Sequence, residues 1–293
     1  EDDQTTVNVL NGTLKSYQQS TSVQYGGNIY GGGLGDANHA ATVNGEVHVN
    51  IGGVSGGNAI GQASLKNCNV YGCNNANGSP KGDVYVDVYQ THHIEKDSVN
   101  YYEANDREYA IKNVFGGGNN ANYSPRFVSN RAHNYIHFCD NTIERVYGGG
   151  NAADALGVDV NVDGGRFEFI FGGGNGQVIP ANIGEGGINL TVCSGRVGYK
   201  YVGCDARGNV LGAMHDMECD QDTKVCEGDL TVEYFFFGAN MATIIGGLRD
   251  TIFCTSSDSE NHMHYQNVYA GSRWAVVYGD IYLLVQGGEI MNL

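Results

Sequence analysis

Short stretches of alternating apolar and polar residues recur along this chain. Val158-Asp159-Val160-Asn161-Val162 puts three valines on one side of an extended segment and its polar residues on the other. The same alternation runs through Val47 to Ile51, Val84 to Val88, Ile188 to Val192, Leu230 to Tyr234 and Ile281 to Val285. A period of two rich in β-branched residues predicts strands, and no segment carries the 3.6-residue period of a helix. After the alternating run a glycine pair such as Gly164-Gly165 breaks the strand. A second short strand, Arg166 to Phe171, then leads into a further run of glycines. Glycine at such breaks predicts corners that need positive φ or close approach of a neighbouring backbone.

That closing phrase is an apolar–aromatic pair followed by glycines. It stands at Ile29-Tyr30-Gly31-Gly32-Gly33, Val114-Phe115-Gly116-Gly117-Gly118, Val146-Tyr147-Gly148-Gly149-Gly150 and Ile170-Phe171-Gly172-Gly173-Gly174. Weaker copies stand at Val70-Tyr71-Gly72-Cys73, Phe236-Phe237-Gly238-Ala239 and Val268-Tyr269-Ala270-Gly271. Constant strands with connections of varying length are the mark of a solenoid with loops inserted at its corners. The expected fold is all-β: a right-handed parallel β-helix of roughly eight or nine irregular coils, forming a single domain over residues 1–293. A propeller needs about four strands per unit, and a sandwich needs hairpin turns between matched strands; neither fits. Val, Ile, Phe and Tyr of the repeats are expected inside, each on its copy one coil away at about 4.8 Å. Asn119, Asn151 and Asn175, with Asn74 and Asn240 as further candidates, follow the glycine runs and predict an amide ladder at a corner.

Composition narrows the functional classes. Charged residues make up only 16%, and 45 of the 293 residues are glycine. The net charge of −16 repels phosphate backbones, so nucleic acid is not an expected partner. No run approaches the roughly 18 apolar residues of a membrane span, which leaves a membrane role only to an anchor or partner outside this chain. Eight cysteines, an even count, permit an oxidising compartment. Their spacing does not suit a zinc site, and the expected disulfides are the local pairs Cys68–Cys73 and Cys219–Cys226, with free buried thiols as the alternative.

Four stretches interrupt the repeat: Gln90 to Asn113, Asn122 to Asn134, Ala206 to Glu227 and Thr255 to Gln266. Loops emerging at one edge would form a shelf, the usual location of binding residues. On it Tyr101, Tyr102, Tyr123, Arg126, His262, His264 and Tyr265 are the candidate contacts. His92-His93 and His262-Met263-His264 invite a metal, yet a metal site needs three or four converging ligands, and solvated loop histidines are the plainer reading. No cofactor is expected; Gly32-Gly33-Leu34-Gly35-Asp36 has the outline of a calcium turn without the tandem repetition that such turns show. Catalysis by a β-helix enzyme on carbohydrate would want paired carboxylates or an assisted base. Asp205 with Arg207, and His215 with Asp216, are the residues available for it, whereas Asp159, Asp163 and Glu168 alternate as solvated strand residues do.

The phrase Val-[Phe/Tyr]-Gly-Gly-Gly-Asn-x-Ala, best at Val114 to Ala121 and Val146 to Ala153, resembles the repeats of large secreted, adhesin-like surface proteins of Bacteroidetes. The resemblance implies export to the exterior of the outer membrane and a non-enzymatic role as adhesin or envelope scaffold that binds glycans or surface proteins. It supplies no catalytic residue. It also implies O-glycan acceptors at Asp-Ser/Thr followed by a small or apolar residue, which here are Ser98 and Thr251. A carbohydrate-active β-helix enzyme is the alternative, and a self-assembling surface-layer or fibre subunit the third. The chain opens and closes inside repeat units, which suggests a part of a longer protein or ends that stack on partners.

Overall fold

The computed structural model describes residues 3–14, 17–20, 23–25, 27–91, 109–177, 179–217, 219, 226, 228–245, 248–252 and 263–293. Among them there is no helix, and most strands gather into two long parallel sheets, the rest pairing two by two. Sheet 1 consists of Thr5–Val9, Val47–Ile51, Val84–Val88, Ala132–Ile136, Ala155–Val162, Ile183–Val192 and Met214–Met217. Sheet 2 consists of Asn28–Tyr30, Leu65–Tyr71, Ile111–Phe115, Thr142–Tyr147, Arg166–Phe171, Gly195–Tyr201, Leu230–Phe236, Met263–Tyr269 and Glu289–Asn292. The chain alternates between the sheets as far as Phe236, so each strand pairs with the next copy of itself and not with its sequence neighbour. This is a solenoid-like arrangement, the only way such short strands reach parallel partners with connections this brief.

The alternation dictates the core. Val47, Val49 and Ile51 point inward and lie in register with Val84, Val86 and Val88, and the same columns continue through Val158, Val160 and Val162. From sheet 2 the facing column is Ile29, Val70, Val114, Val146 and Ile170. Each such side chain contributes about 1.5–3 kcal/mol by leaving water. The second half of the aromatic pair does not join this core, contrary to expectation. Tyr30, Tyr71, Phe115, Tyr147, Phe171, Tyr201, Phe236 and Tyr269 form a separate column of stacked rings, 4.6–5.0 Å apart and within 8° of parallel. Adjacent strand positions face opposite sides, so a Val-Phe pair must send one member each way.

The glycines answer to close approach here. A Cβ on Gly31, Gly72, Gly116, Gly148 or Gly172 would lie 2.1–2.4 Å from the carbonyl oxygen of the layer above. The glycines that break strands differ: Gly165 and Gly195 have φ of +128° and +102°, backbone that side-chain-bearing residues avoid. The amide ladder at the corner runs Asn75–Asn119–Asn151–Asn175, each Nδ2 donating to the Oδ1 below at 2.8–3.0 Å. Asn75, not Asn74, supplies its first rung. Asn74 instead donates to the carbonyls of Ala41 and Asn77, and Asn240 donates to Asp205.

The disulfides correct the local pairing. Cys139 joins Cys226 and Cys193 joins Cys219, with Cα–Cα distances of 5.4 and 5.1 Å, while Cys68 and Cys73 are free and buried. Cys193 and Cys219 lie just past the ends of two sheet 1 strands, whereas Cys139 follows a sheet 1 strand and Cys226 precedes a sheet 2 strand. Five residues of separation at Cys68 and Cys73 instead span the end of a sheet 2 strand, where the two thiols enter the core at different positions. Two disulfides indicate an oxidising, extracellular-type environment. No helix among the described residues is long and apolar enough to cross a membrane.

Candidate functional site

The stretch expected as an insertion from Asn122 to Asn134 is shorter than its polar composition suggests. Ala132–Ile136 is a sheet 1 strand, with Asn134 inward and donating to the Tyr147 carbonyl at 3.2 Å. What remains is a loop over residues 122–131, pinned at both ends. At its start the Tyr123 ring is buried, and its hydroxyl donates to the Gly82 carbonyl at 2.8 Å. At its end Arg131 spans three layers. Its backbone N–H donates to Asp83 Oδ1 at 2.7 Å, Nε to Asp159 Oδ1 at 2.6 Å, and Nη1 to the Gly186 carbonyl at 2.6 Å. Between these anchors the Ser124 N–H donates to Ser79 Oγ, the Arg126 N–H to the Lys81 carbonyl, and Phe127 and Asn130 close a turn on each other. A loop held this way presents its tip in a fixed geometry: Phe127 is 60% and Val128 66% exposed.

A depression lies on each side of this loop. One, of about 500 Å³, is lined by Asn122, Pro125, Asp154, Leu156, Asn182 and Leu211 among others. Its wall is a second ladder: Asn122 Oδ1 accepts the Asp154 N–H, Asp154 Oδ1 the Asn182 N–H, and Asn182 Oδ1 the Asn209 N–H, at 2.8–2.9 Å. These bonds fix the Asx side chains beside apolar surface. The other depression, of about 260 Å³, brings Glu46, Lys81, Asp83, Arg126 and Phe127 together. Amides and one carboxylate next to aliphatic surface on one side, and mixed charges next to an aromatic ring on the other, can receive a polar ligand with an apolar face.

The Arg131 clamp depends on Asp159, which also receives His133 Nδ1 at 3.0 Å and Asn189 Nδ2 at 2.8 Å. Burial works against the Asp159 charge, but His133, Arg131 and Asn189 more than offset it and hold its carboxyl below the ordinary carboxylate range. A depressed folded-state value gives stability that is present above the unfolded value near 3.9 and is lost as pH falls through the folded one. Asp159→Asn is therefore expected to cost about 2 kcal/mol at neutral pH. The gap between variant and wild type, full at pH 7, should narrow once the pH falls well below the ordinary carboxylate value near 3.9. Urea unfolding at the two pH values checks this; an equal gap at both would mean that the Asp159 charge contributes nothing.

The expected contact residues divide. Arg126 lines the smaller depression. Tyr123 and Tyr265 are not surface contacts: both rings are buried, Tyr123 as the loop anchor and Tyr265 inside the core beside Phe235. Polar surroundings in sequence disguised them as loop tyrosines. His264 lies on the outer face of sheet 2 between Asp229 at 3.3 Å and Glu289 at 2.9 Å, away from this loop. Thr251 lies on the Leu248–Ile252 strand. Tyr101, Tyr102, His262, Ser98, His92 and His93 lie outside the described residues. Among the described residues no three His, Cys, Asp or Glu side chains are grouped as metal ligands. The Asp36 carboxylate of the glycine-rich corner accepts the N–H groups of Asn38 and His39, both at 2.8 Å.

Asp205 accepts from the Tyr147 hydroxyl at 3.1 Å and from Asn240 at 2.8 Å beside the aromatic column, and His215 is on the exposed side of sheet 1. Asp163, expected in solvent, is buried next to the Tyr135 hydroxyl, and burial raises its carboxyl. Arg131 and the Asn122–Asp154–Asn182 wall went unread in the sequence. The available signal was the Asx three residues after a ladder asparagine, at Asn119/Asn122 and Asn151/Asp154. Comparison with known proteins finds no matching family model, no matching curated protein and no matching solved structure.

Proposed function

We propose that this chain is a right-handed parallel β-helix of eight or nine coils, exported to the cell surface, that serves as an adhesin or envelope scaffold. It holds glycans or surface proteins at the 122–131 loop and the depressions beside it. The observation that carries the reading is the contrast between a loop anchored through Tyr123 and Arg131 and a tip that leaves Phe127 and Val128 in water. Exposed large apolar groups on a preorganised support favour partner binding, because little ordering entropy is lost on contact. The disulfides agree with export, and the aromatic and amide columns with a rod that positions its loops.

The test is the Phe127→Ala/Val128→Ala double variant on a broad glycan array and on immobilised surface-protein extracts. Wild type should bind one of the two panels. The variant should lose at least about tenfold in affinity, since one buried aromatic anchor typically accounts for 2 kcal/mol or more, with an unchanged melting temperature. Equal binding by the variant, or none by wild type on either panel, would overturn the reading.

A further inference from the structure

One apolar column of the core is interrupted by a charged residue, and another ends in one. Lys200 occupies the position that Ile170 and Phe235 hold in the neighbouring layers of sheet 2. Asp216 occupies the position that Leu190 holds in sheet 1. They meet across the core. Lys200 is 2% exposed and the Asp216 side chain 9%, and Nζ lies 2.6 Å from Oδ1 and 2.8 Å from Oδ2. The Phe235 ring is 4.7 Å from Nζ and the Tyr265 ring 5.8 Å, so the contact is walled by aromatic carbon. The Asp250 carboxylate accepts the Asp216 backbone N–H at 2.5 Å and the Thr251 N–H at 2.7 Å, which fixes the strand that carries Asp216.

We propose that Lys200 and Asp216 become joined by an isopeptide bond between Nζ and the carboxyl carbon. With both oxygens of Asp216 this close, the carbon between them stands at the reacting distance of about 3–3.5 Å, where effective molarities reach roughly 10⁵–10⁸ M. Oδ1 is buried, and its contact is the ion pair with Nζ at 2.6 Å. A buried ion pair is costly to desolvate, and condensation removes both of its charges.

Burial disfavours both charges. On Asp216 burial prevails over the opposing effect of Lys200 and raises the carboxyl; on Lys200 burial works to lower the amine, but the Asp216 carboxylate and Tyr265 outweigh it and hold the ammonium above its ordinary range. Both shifts keep protons on the pair, and the 2.6–2.8 Å contact lets one pass between the two groups. The ammonium passes one proton to the carboxylate, and the neutral amine adds to the carboxyl carbon. A second proton then moves from nitrogen to a hydroxyl of the tetrahedral intermediate, the C–O bond breaks, and water leaves as the amide forms. No oxidant, reductant or co-reactant takes part. The bond ties a sheet 2 strand to a sheet 1 strand, and Cys193–Cys219 bridges the segments flanking the same two strands. Covalent closure of this region suits a protein exposed to proteases and mechanical load.

The decisive measurement is mass spectrometry of the fully reduced wild-type protein, first intact and then after trypsin digestion. The intact chain should be lighter than its sequence by one water. Digestion should yield a branched peptide joining Lys200 to Asp216, with no cleavage after Lys200. The branched peptide is required because ring closure at Glu1 or an aspartyl imide would give the same intact mass. Lys200→Arg and Asp216→Ala should both restore the full mass at this site. Unbranched peptides covering both residues in the wild-type digest would show an ion pair only and overturn the proposal, whether or not either variant folds.

Discussion

Gly148→Ala is expected to lose more than about 3 kcal/mol of stability, beyond the usual cost of overpacking. The added Cβ would lie 2.1 Å from the Gly172 carbonyl oxygen, with Val160 Cγ2 at 2.8 Å and Val158 Cγ2 at 3.1 Å. A side-chain tip can rotate away, but this obstacle is backbone. It is fixed by the Gly148 N–H, which donates to the Phe171 carbonyl at 3.1 Å, and by the parallel pairing of Val146 and Tyr147 with Ile170 and Phe171. Relief requires the two layers to separate, which would also part the Tyr147 and Phe171 rings, 5.0 Å apart, and the Asn151–Asn175 rung at 3.0 Å. Gly271→Ala is the control: it lies in a degraded copy of the same phrase, and its Cβ would meet only Ile281 Cδ1 at 3.7 Å. That variant should stay within about 0.5 kcal/mol of wild type. Urea unfolding of the pair measures the difference, and two similar midpoints would refute close packing of the layers as the reason for glycine.

How much of this was legible follows from what each feature depends on. Alternation such as Val84-Tyr85-Val86-Asp87-Val88 is local, so strands and inward faces could be read directly. The Ala132–Ile136 strand escaped because its central inward residue is Asn134, which hydrogen-bonds the Tyr147 carbonyl inside the core. Features made between layers were legible only where the repeat itself announced them, as the ladder from Asn119 to Asn175 did. Cys139 and Cys226 are 87 residues apart yet adjacent in space, because stacking brings together residues whose separation depends on loops of unequal length. Nothing in a single sequence fixes that register for unrepeated residues. The loop site shows the same limit: Arg126 could be named from its place in an insertion, whereas Arg131 and Asp159, which hold that insertion, meet only through the pairing of Ala132 with Val158.

Raising the pH above about 10 is expected to unfold the protein cooperatively, through its buried tyrosines, three from the repeat and one from the loop anchor. Tyr71, Tyr123, Tyr147 and Tyr201 are all at most 4% exposed. Burial raises all four phenols, with the Asp205 carboxylate adding to the effect at Tyr147; Tyr201 is pushed up to about 12. In the unfolded chain each would titrate near 10. Between those values the folded state binds more protons than the unfolded one, so stability is intact below pH 10 and falls as pH rises. Each group removes about 1.4 kcal/mol per pH unit, and four together remove about 5 kcal/mol by pH 11, a large part of a typical domain's stability.

Strand circular dichroism and tyrosinate absorbance, followed together from pH 8 to 12, should change in one transition. Smooth titration of every phenol near pH 10 with the strand signal intact would mean that the column is open to hydroxide. Tyr147→Phe sharpens the test because its effect changes sign. Near pH 7 it leaves one Asp205 oxygen without the hydroxyl donor at 3.1 Å and should cost about 1 kcal/mol. Above pH 10 it removes one of the groups that drive unfolding, so its stability curve should cross that of the wild type. A variant that stays below wild type at every pH would place the alkaline sensitivity elsewhere than in the stacked rings.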